Sequence, residues 1–355
     1  MKFQGMPFDY RSITDTIERS LATAGLGREA GLMKGITETI HQSLSAAGLH
    51  SREPQPAGPG HTVDEPALPG EHVERLFSNA AGTRAYELYV PASYSPEGAQ
   101  PVPLVVMLHG CKQAPGDFAL GTRMNELAER HGFLVAYPVQ PAAANGSSCW
   151  NWFLPEDQAR DRGEPSILAG ITREVASRYR VDNRRIFVAG MSAGAAMAVV
   201  LGATYPDLFA AVGAHSGLPY GVAHDVPSAL SAMKGGGALR GGISLTVPTI
   251  VFHGSRDPTV NACNGAAIVE QATLAREHEL LMQMHAGQSA DGCRYRRIVY
   301  TDAAGNAVVE HWMVSGAGHA WSGGDPRGSF TDPVGPDASA EMIRFFASLQ
   351  GAGTA

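Results

Sequence analysis

Cysteine is scarce in this chain of 355 residues, which contains only four, at positions 111, 149, 263 and 293. No two of them form a C-x-x-C pair, so a zinc site or a thioredoxin-like redox site is not expected. An even number of cysteines permits two disulfides, but disulfides are rare in a reducing cytoplasm. The sequence alone leaves open whether the four thiols are oxidised.

Long apolar runs and basic clusters are also missing. No stretch approaches the roughly 18 apolar residues of a transmembrane helix, so no membrane span is expected. Lys and Arg number 27 against 34 Asp and Glu, a net charge of −7, and this balance argues against nucleic acid as a partner. The first 20 residues lack the apolar region of a signal peptide, which predicts a cytoplasmic protein, with an extracellular one as the alternative.

What is present is enough apolar sequence for a large core, since 44% of the residues are hydrophobic and 17% are charged. Residues 1–50 contain two patches with helical periodicity, each ending at glycine, and predict a helical N-terminal segment that could join copies into a homo-oligomer. Residues 51–71 are rich in proline and glycine and predict a linker. The main domain is expected over residues 72–350.

Strand and helix patterns alternate through this main domain. Strands are predicted at 84–90, 103–110, 133–138, 184–190, 209–217 and 247–254, with a further pair at 294–302 and 309–316. Helices are predicted at 117–132, 165–180, 195–206 and 339–349. Alternation with buried Val- and Ile-rich strands predicts an α/β fold with a mostly parallel sheet and helices on both faces.

The stretch "GMSAG" at 190–194 is the single G-x-S-x-G match in the chain. It runs from a predicted buried strand into a predicted helix, which is the setting of a nucleophile elbow. The sharp turn there needs very small neighbours on both sides, and Gly190 and Gly194 supply them. A plain glycine-rich turn is the alternative interpretation, but the context favours Ser192 as a nucleophile.

A serine nucleophile needs a base and an acid, which follow it in the order acid, then histidine, in α/β-hydrolases. Asp257 follows a predicted strand and is the favoured acid, with Asp302 as its rival. His319 lies among small residues in "SGAGHAWSGG" and is the favoured base. His253 precedes the acid, and His311 falls inside a strand pattern, so neither fits the order as well.

The developing oxyanion of an ester reaction needs two backbone N–H donors. Ala193, directly after the serine, is the first predicted donor. The second is Cys111, because "LHGCKQ" follows an early strand and Gly110 allows close approach of the backbone. A simple turn at 109–110 is the alternative.

Together these stretches resemble the polyhydroxybutyrate (PHB) depolymerase family of esterases within the α/β-hydrolases. The resemblance covers roughly residues 75–350 and also includes "CWNWF" and "GAGHAWSGG". It implies a serine esterase with the triad Ser192, Asp257 and His319, without a metal or organic cofactor. The implied substrates are short hydroxyalkanoate esters or oligomers, and relatives act on feruloyl or acetyl esters of plant polysaccharides. An acyltransferase with the same triad and a non-catalytic binding protein are the remaining alternatives.

Two further expectations concern the rim of the site. Cys111 and Cys149 are predicted to form a disulfide, with two free thiols as the alternative; a second bridge, Cys263–Cys293, is a weaker expectation. Trp150, Trp152 and Trp321 are predicted to line an apolar substrate pocket, because they lie close in sequence to Cys149 or His319. Burial in the core is the alternative for these tryptophans.

Overall fold

The computed structural model describes residues 68–98, 100–237 and 245–349. The chain divides into two units between Thr62 and Val63, and all of the described residues belong to the second unit. The predicted helical segment at 1–50 and most of the predicted linker at 51–71 lie outside the described residues. In the part of the chain that the structure describes, no helix is long and apolar enough to cross a membrane.

Ten strands of the described chain form one sheet, in the order β1-β2-β4-β3-β5-β6-β7-β10-β9-β8. These strands are β1 (Glu71–Asn79), β2 (Gly82–Val90), β3 (Val102–Leu108), β4 (Leu134–Pro138), β5 (Val181–Met191), β6 (Ala211–His215), β7 (Thr249–Gly254), β8 (Leu281–Gln288), β9 (Arg294–Thr301) and β10 (Ala307–Val314). Two short parallel strands, β11 (Trp321–Ser322) and β12 (Thr331–Asp332), pair separately.

The six central strands, from β4 to β10 in sheet order, are all parallel. Antiparallel pairs close the sheet on both sides, with β1 and β2 at one edge and β9 and β8 at the other. The mostly parallel sheet that the sequence predicted is therefore confirmed. Parallel strands all run in the same direction. The loops that follow β3, β5, β6, β7 and β10 therefore lie together at the carboxyl ends of the strands.

Helices cover both faces of this sheet. They are α1 (Pro115–Thr122), α2 (Met124–His131), α3 (Gly163–Arg178), α4 (Ala193–Thr204), α5 (Val226–Gly235), α6 (Cys263–Thr273) and α7 (Ala338–Ser348). One apolar core lies between the sheet and α3, α4, α5 and α6. A second core lies on the opposite face, under α1, α2 and α7. Central strands with buried side chains on both faces account for their continuous apolar sequences.

The helix predicted over 117–132 is two helices. Arg123 separates α1 from α2 with a left-handed backbone (φ 53°), and its amide N–H donates to the Leu120 carbonyl. Its guanidinium also bonds to the Asp337 carboxylate at an N–O distance of 2.8 Å. An arginine gives no sequence signal for such a break, because the left-handed region usually selects glycine or asparagine.

Candidate active site

Ser192 lies at the junction between the end of β5 and the start of α4. Its backbone has φ 56° and ψ −120°, a conformation that residues other than glycine rarely adopt. The amide N–H of Ser192 donates to the carbonyl oxygen of His215 at 2.9 Å. The turn is therefore strained at the serine itself and is held to the end of the neighbouring strand β6.

The two glycines around Ser192 leave no space for a side chain. A Cβ atom at Gly190 would lie 2.6 Å from the Gly194 backbone and from the Leu108 carbonyl oxygen. At Gly194, a Cβ atom would overlap that same carbonyl oxygen. This close approach of the turn to β3 is the physical reason for the spacing in "GMSAG".

Asp257 and His319 lie on the loops that follow β7 and β10, and their side chains are hydrogen-bonded. His319 Nδ1 is 2.7 Å from Asp257 Oδ2. The other carboxylate oxygen, Oδ1, accepts from the amides of Thr259 at 2.9 Å and Val260 at 2.8 Å. The Asp257 side chain is fully buried, whereas one tenth of the His319 side chain is exposed. The histidine therefore has one ring edge fixed by the carboxylate.

The Asp257 carboxyl is ionised in this environment. Burial by itself raises its pKa, but contacts with the His253 and His319 side chains and the Val260 amide outweigh burial and hold the pKa well below its usual range. His253 Nε2 lies 3.5 Å from Asp257 Oδ2 and 2.8 Å from the Val260 carbonyl oxygen. A negative charge on Asp257 favours a proton on the facing nitrogen of His319, which leaves Nε2 of that ring as the basic nitrogen.

Asp302, the rival acid, lies elsewhere. It sits in the turn between β9 and β10, where its Oδ1 accepts from the amides of Ala304 and Asn306 at 3.0 and 2.9 Å. This turn precedes β10, whereas His319 follows it, so the two residues lie at opposite ends of that strand. The structure thus pairs His319 with Asp257 and gives Asp302 a turn-forming position.

His215 at the end of β6 connects the serine turn to the histidine loop, and sequence reasoning missed it. Its carbonyl accepts from Ser192, and its ring Nε2 accepts from the Ser322 amide at 3.0 Å, three residues after His319. Burial, helped by the nearby His253 and His319, lowers the pKa of His215 to about 3. The ring therefore stays neutral, as its acceptor role requires. A polar residue at the carboxyl end of a buried parallel strand is the sequence feature that could have indicated a role for His215 at the site.

The loop after β3 lies beside the serine, as predicted for an oxyanion site. A Cβ atom at Gly110 would be 3.5 Å from the Ser192 Cβ atom. Among the described residues, the amide N–H groups of Cys111 and Ala193 have no hydrogen-bond acceptor. Cys111 and Cys149 form the predicted disulfide. The bridge and a hydrogen bond from the Lys112 amide to the Ser147 carbonyl hold the loop to the 145–150 segment.

A buried polar network supports this loop from behind, and no sequence pattern indicated it. Gln140 donates through its amide N–H to His109 Nε2 at 3.2 Å and through its side chain to the Cys149 carbonyl at 2.9 Å. Glu164, which is 3% exposed, accepts from the Gln140 side chain and from the Asn151 amide at 2.7 Å. These contacts fix the segments on both sides of the disulfide.

The three tryptophans predicted to line a pocket are buried instead. Trp150 and Trp321 are 0% and 1% exposed, and Trp152 is 6% exposed. The Trp150 indole N–H donates to the His109 carbonyl at 3.1 Å, and that of Trp321 donates to Ser339 Oγ at 3.0 Å. Indoles whose N–H groups find internal partners pack well in a core. In this conformation they support the site and do not form its surface.

Replacing Trp321 with alanine should therefore lower stability more than it changes substrate choice. The ring stacks on His215 at a centroid distance of 5.0 Å and meets Phe118 edge to face. Removing a buried indole typically costs about 3–5 kcal/mol of unfolding free energy. Thermal unfolding measures the loss, and Trp321→Phe, which keeps an aromatic ring, should lose less. An early-melting variant with unchanged selectivity among ester chain lengths fits a core role; altered selectivity with normal stability contradicts it.

The weaker disulfide expectation, Cys263–Cys293, is wrong, since both thiols are free. Cys263 begins α6, which covers one face of the sheet, whereas Cys293 packs against the core on the other face. The Cys293 sulfur lies 3.8 Å from the carbonyl oxygens of Arg294 and Ser315. The sheet separates the two cysteines. Their spacing in the sequence does not indicate that they lie on opposite faces.

Comparison with solved structures supports the fold. An acetyl xylan esterase from Aspergillus awamori superposes with a TM-score of 0.59 at 20% identity, covering 79% of this chain and 99% of that one. A puromycin hydrolase superposes with a TM-score of 0.53 at 17% identity, covering 84% of this chain and 42% of the other. At such low identity, the similarity establishes a shared fold alone.

Curated relatives are more similar in sequence. Poly(3-hydroxyalkanoate) depolymerase C of Paucimonas lemoignei is 35% identical over 230 residues, 61% of this chain and 54% of the relative. A probable acetylxylan esterase A of Aspergillus fumigatus is 33% identical over 168 residues, 46% and 43% of the two chains. Feruloyl esterase B of Neurospora crassa is 32% identical over 151 residues, 42% and 49%. The chain spans about half the length of these relatives.

The family model described as Esterase PHB depolymerase matches residues 84–276. This range includes the strained serine turn, the disulfide-linked loop after β3 and Asp257. His319 follows the matched range, on the loop after β10. The match covers more than half of the sequence, and the chain belongs to the PHB depolymerase family of esterases within the α/β-hydrolases.

Proposed function

We propose that this protein is a serine esterase that hydrolyses carboxylic esters through an acyl-enzyme. The observation that carries the proposal is the strained positive-φ backbone at Ser192, flanked by two glycines at which a Cβ atom would come within 2.6 Å of backbone atoms. Strain of this kind persists only where the surrounding structure enforces it, and it concentrates at functional sites. The hydrogen-bonded pair Asp257 and His319 lies on loops at the same ends of the strands and would supply the acid and the base.

In the proposed mechanism, His319 Nε2 takes the proton of the Ser192 hydroxyl as its oxygen attacks the ester carbonyl. Asp257 keeps the imidazole in the required tautomer and stabilises its cation. The amides of Cys111 and Ala193 donate to the oxyanion, and the alcohol leaves with the proton from His319. Water then attacks the acyl-enzyme, with His319 again as the base, and releases the acid.

The substrates we propose are short hydroxyalkanoate esters or oligomers. The support is the relatives' names, since two are poly(hydroxyalkanoate) or poly(hydroxybutyrate) depolymerases. Feruloyl or acetyl esters of plant polysaccharides are the second candidate, because other relatives are named as acetylxylan and feruloyl esterases. An acyltransferase would use the same three residues with another acceptor in place of water.

For the location, the Cys111–Cys149 disulfide favours an oxidising compartment over the cytoplasm that the sequence first suggested. The bridge is in the loop that carries a proposed oxyanion donor. We therefore propose that the protein works outside the cytoplasm, and the cytoplasmic expectation has no support from the structure.

A substrate panel tests the function. It contains p-nitrophenyl esters of increasing acyl length, hydroxybutyrate oligomers and feruloyl esters, each with and without an added alcohol. We expect turnover of hydroxybutyrate oligomers and short acyl esters, with free acid as the main product. A new ester formed from the alcohol would indicate an acyltransferase, and no turnover together with no organophosphate labelling of Ser192 would contradict the proposal.

A further inference from the structure

The loop after β3 has three consecutive backbone amides with different partners. The Gly110 N–H donates to the side-chain oxygen of Gln113 at 2.9 Å, and the Lys112 N–H donates to the Ser147 carbonyl at 2.8 Å. The Gln113 backbone N–H donates to the Gly110 carbonyl at 3.3 Å, which closes a four-residue turn. In the described part of the chain, only the Cys111 N–H of these three lacks an acceptor. The loop therefore presents one amide, the proposed oxyanion donor.

The Gln113 side chain, which belongs to a residue only 6% exposed, also bonds on its other side. Its Nε2 donates to the carbonyl and the Oγ of Ser329 at 3.1 and 3.3 Å, and to Asp117 Oδ2 at 3.3 Å. The Asp117 carboxylate also accepts from the Ser329 amide at 2.9 Å. Because Gly110 offers a donor and Ser329 a carbonyl acceptor, this position needs a side chain that accepts at one atom and donates at another, as an amide does.

Ser329 belongs to the segment that follows the histidine loop. The next residue, Phe330, accepts through its carbonyl from the Trp321 amide at 2.7 Å, and Trp321 is two residues after His319. Gln113 therefore connects the loop that carries the proposed oxyanion donor to the segment that pairs with the loop of the proposed base.

We propose that Gln113 is a positioning residue that keeps the Cys111 N–H directed at the oxyanion formed when Ser192 attacks an ester. This role rests on the proposed esterase function, and Gln113 acts through the loop without touching the substrate. With an apolar side chain in its place, the buried Gly110 N–H would lose its acceptor. The 109–110 peptide would then be free to rotate, and the adjacent Cys111 amide would move with it.

Gln113→Met tests the role, because methionine keeps the length of the side chain and removes both hydrogen-bonding groups. With a p-nitrophenyl ester that the wild type hydrolyses, kcat should fall about 10- to 100-fold, less than the ~10²–10³ lost when an oxyanion donor itself is removed. KM should stay close to wild type, since the ground-state ester does not need the oxyanion contact. The Ki of a trifluoromethyl ketone should rise by the same factor as kcat falls, because its adduct with Ser192 carries an oxyanion.

A paired substitution supplies a conservative rescue. Gln113→Glu keeps an oxygen for the Gly110 N–H but puts a second carboxylate beside Asp117, so kcat should fall in this variant as well. Adding Asp117→Asn removes that repulsion and supplies an amide donor to the new carboxylate, so the double variant should recover most of the lost kcat. Circular dichroism verifies folding; if Gln113→Met does not fold, this pair of variants decides the question alone.

Gln271→Met on α6 is the matched control. This glutamine is 1% exposed, and its side chain bonds to the amide and the carbonyl of Tyr220 at 2.9 and 2.8 Å. The control should lower the melting temperature as Gln113→Met does but leave kcat and Ki unchanged.

Four outcomes with an active wild type would overturn the role of Gln113. They are a Gln113→Met variant with wild-type kcat, a kcat loss without a change in Ki, a double variant that recovers no kcat, and an equal kcat loss in Gln271→Met. A wild type that hydrolyses no ester would overturn the proposed function as well.

Discussion

Replacing Ser192 with alanine should lower the kcat for ester hydrolysis by about 10⁶, since the other members of a catalytic triad contribute little without the nucleophile. The fold should survive, because the serine side chain is small and the strained backbone is held by its neighbours. Alanine in that same backbone conformation keeps the hydrogen bond from its backbone N–H to the His215 carbonyl oxygen. The expected result is a stable, inactive protein that no longer reacts with an organophosphate.

The matched control is Ser177→Ala, at an exposed serine on α3. It should retain wild-type turnover and labelling. Burst kinetics and mass spectrometry of the labelled peptide measure the two variants side by side. A Ser192→Ala protein that keeps a tenth of wild-type turnover would show that another group attacks the ester, and the assignment would fail.

Asp257→Asn should lower kcat by about 10⁴, because an amide in that position no longer holds the imidazole in the tautomer that can accept a proton from serine. The pair is fixed by the 2.7 Å contact between Asp257 Oδ2 and His319 Nδ1. The asparagine side chain keeps an oxygen for the Thr259 and Val260 amides, so the loop should stay folded. Activity, rather than stability, is therefore the sensitive readout.

Asp302→Asn is the matched comparison, an identical chemical change at the rival acid. Its hydrogen bonds are local to the turn between β9 and β10, so kcat should stay close to wild type. Measuring kcat and melting temperature for both variants separates a catalytic loss from an unfolding loss. Asp302→Asn as the more damaging change, with Asp257→Asn near wild type, would reverse the assignment of the acid.

The turn at Ser192 and the position of the loop after β3 could be predicted because each depends on local sequence. Glycines at −2 and +2 of the serine, and an early strand followed by His109-Gly110, are short-range signals. The bond between Asp257 and His319 joins residues 62 positions apart, and only their order made it predictable. The supporting roles of Gln140 and Glu164 depend on side-chain directions that no spacing encodes.

Some elements of the fold could also be predicted from local sequence, and others could not. Central strands were found because both their faces are buried, which produces continuous apolar runs. Strands β1 and β8 were missed because edge strands with exposed side chains lack that pattern. The break at Arg123 depends on a left-handed residue with no glycine to mark it. The burial of the three tryptophans could not be predicted, because proximity in sequence to His319 or Cys149 does not tell which side of the backbone an indole occupies.

His215 contacts both the turn of the proposed nucleophile and the loop of the proposed base. Its backbone carries the serine turn and its ring carries the loop after His319, so a displacement of the β6 end moves both in the same direction. Any shift of the β6 end is therefore transmitted to both the serine turn and the loop after His319 through hydrogen bonds to one residue. Because burial lowers the pKa of His215 to about 3, its ring is uncharged at neutral pH and keeps accepting from the Ser322 amide.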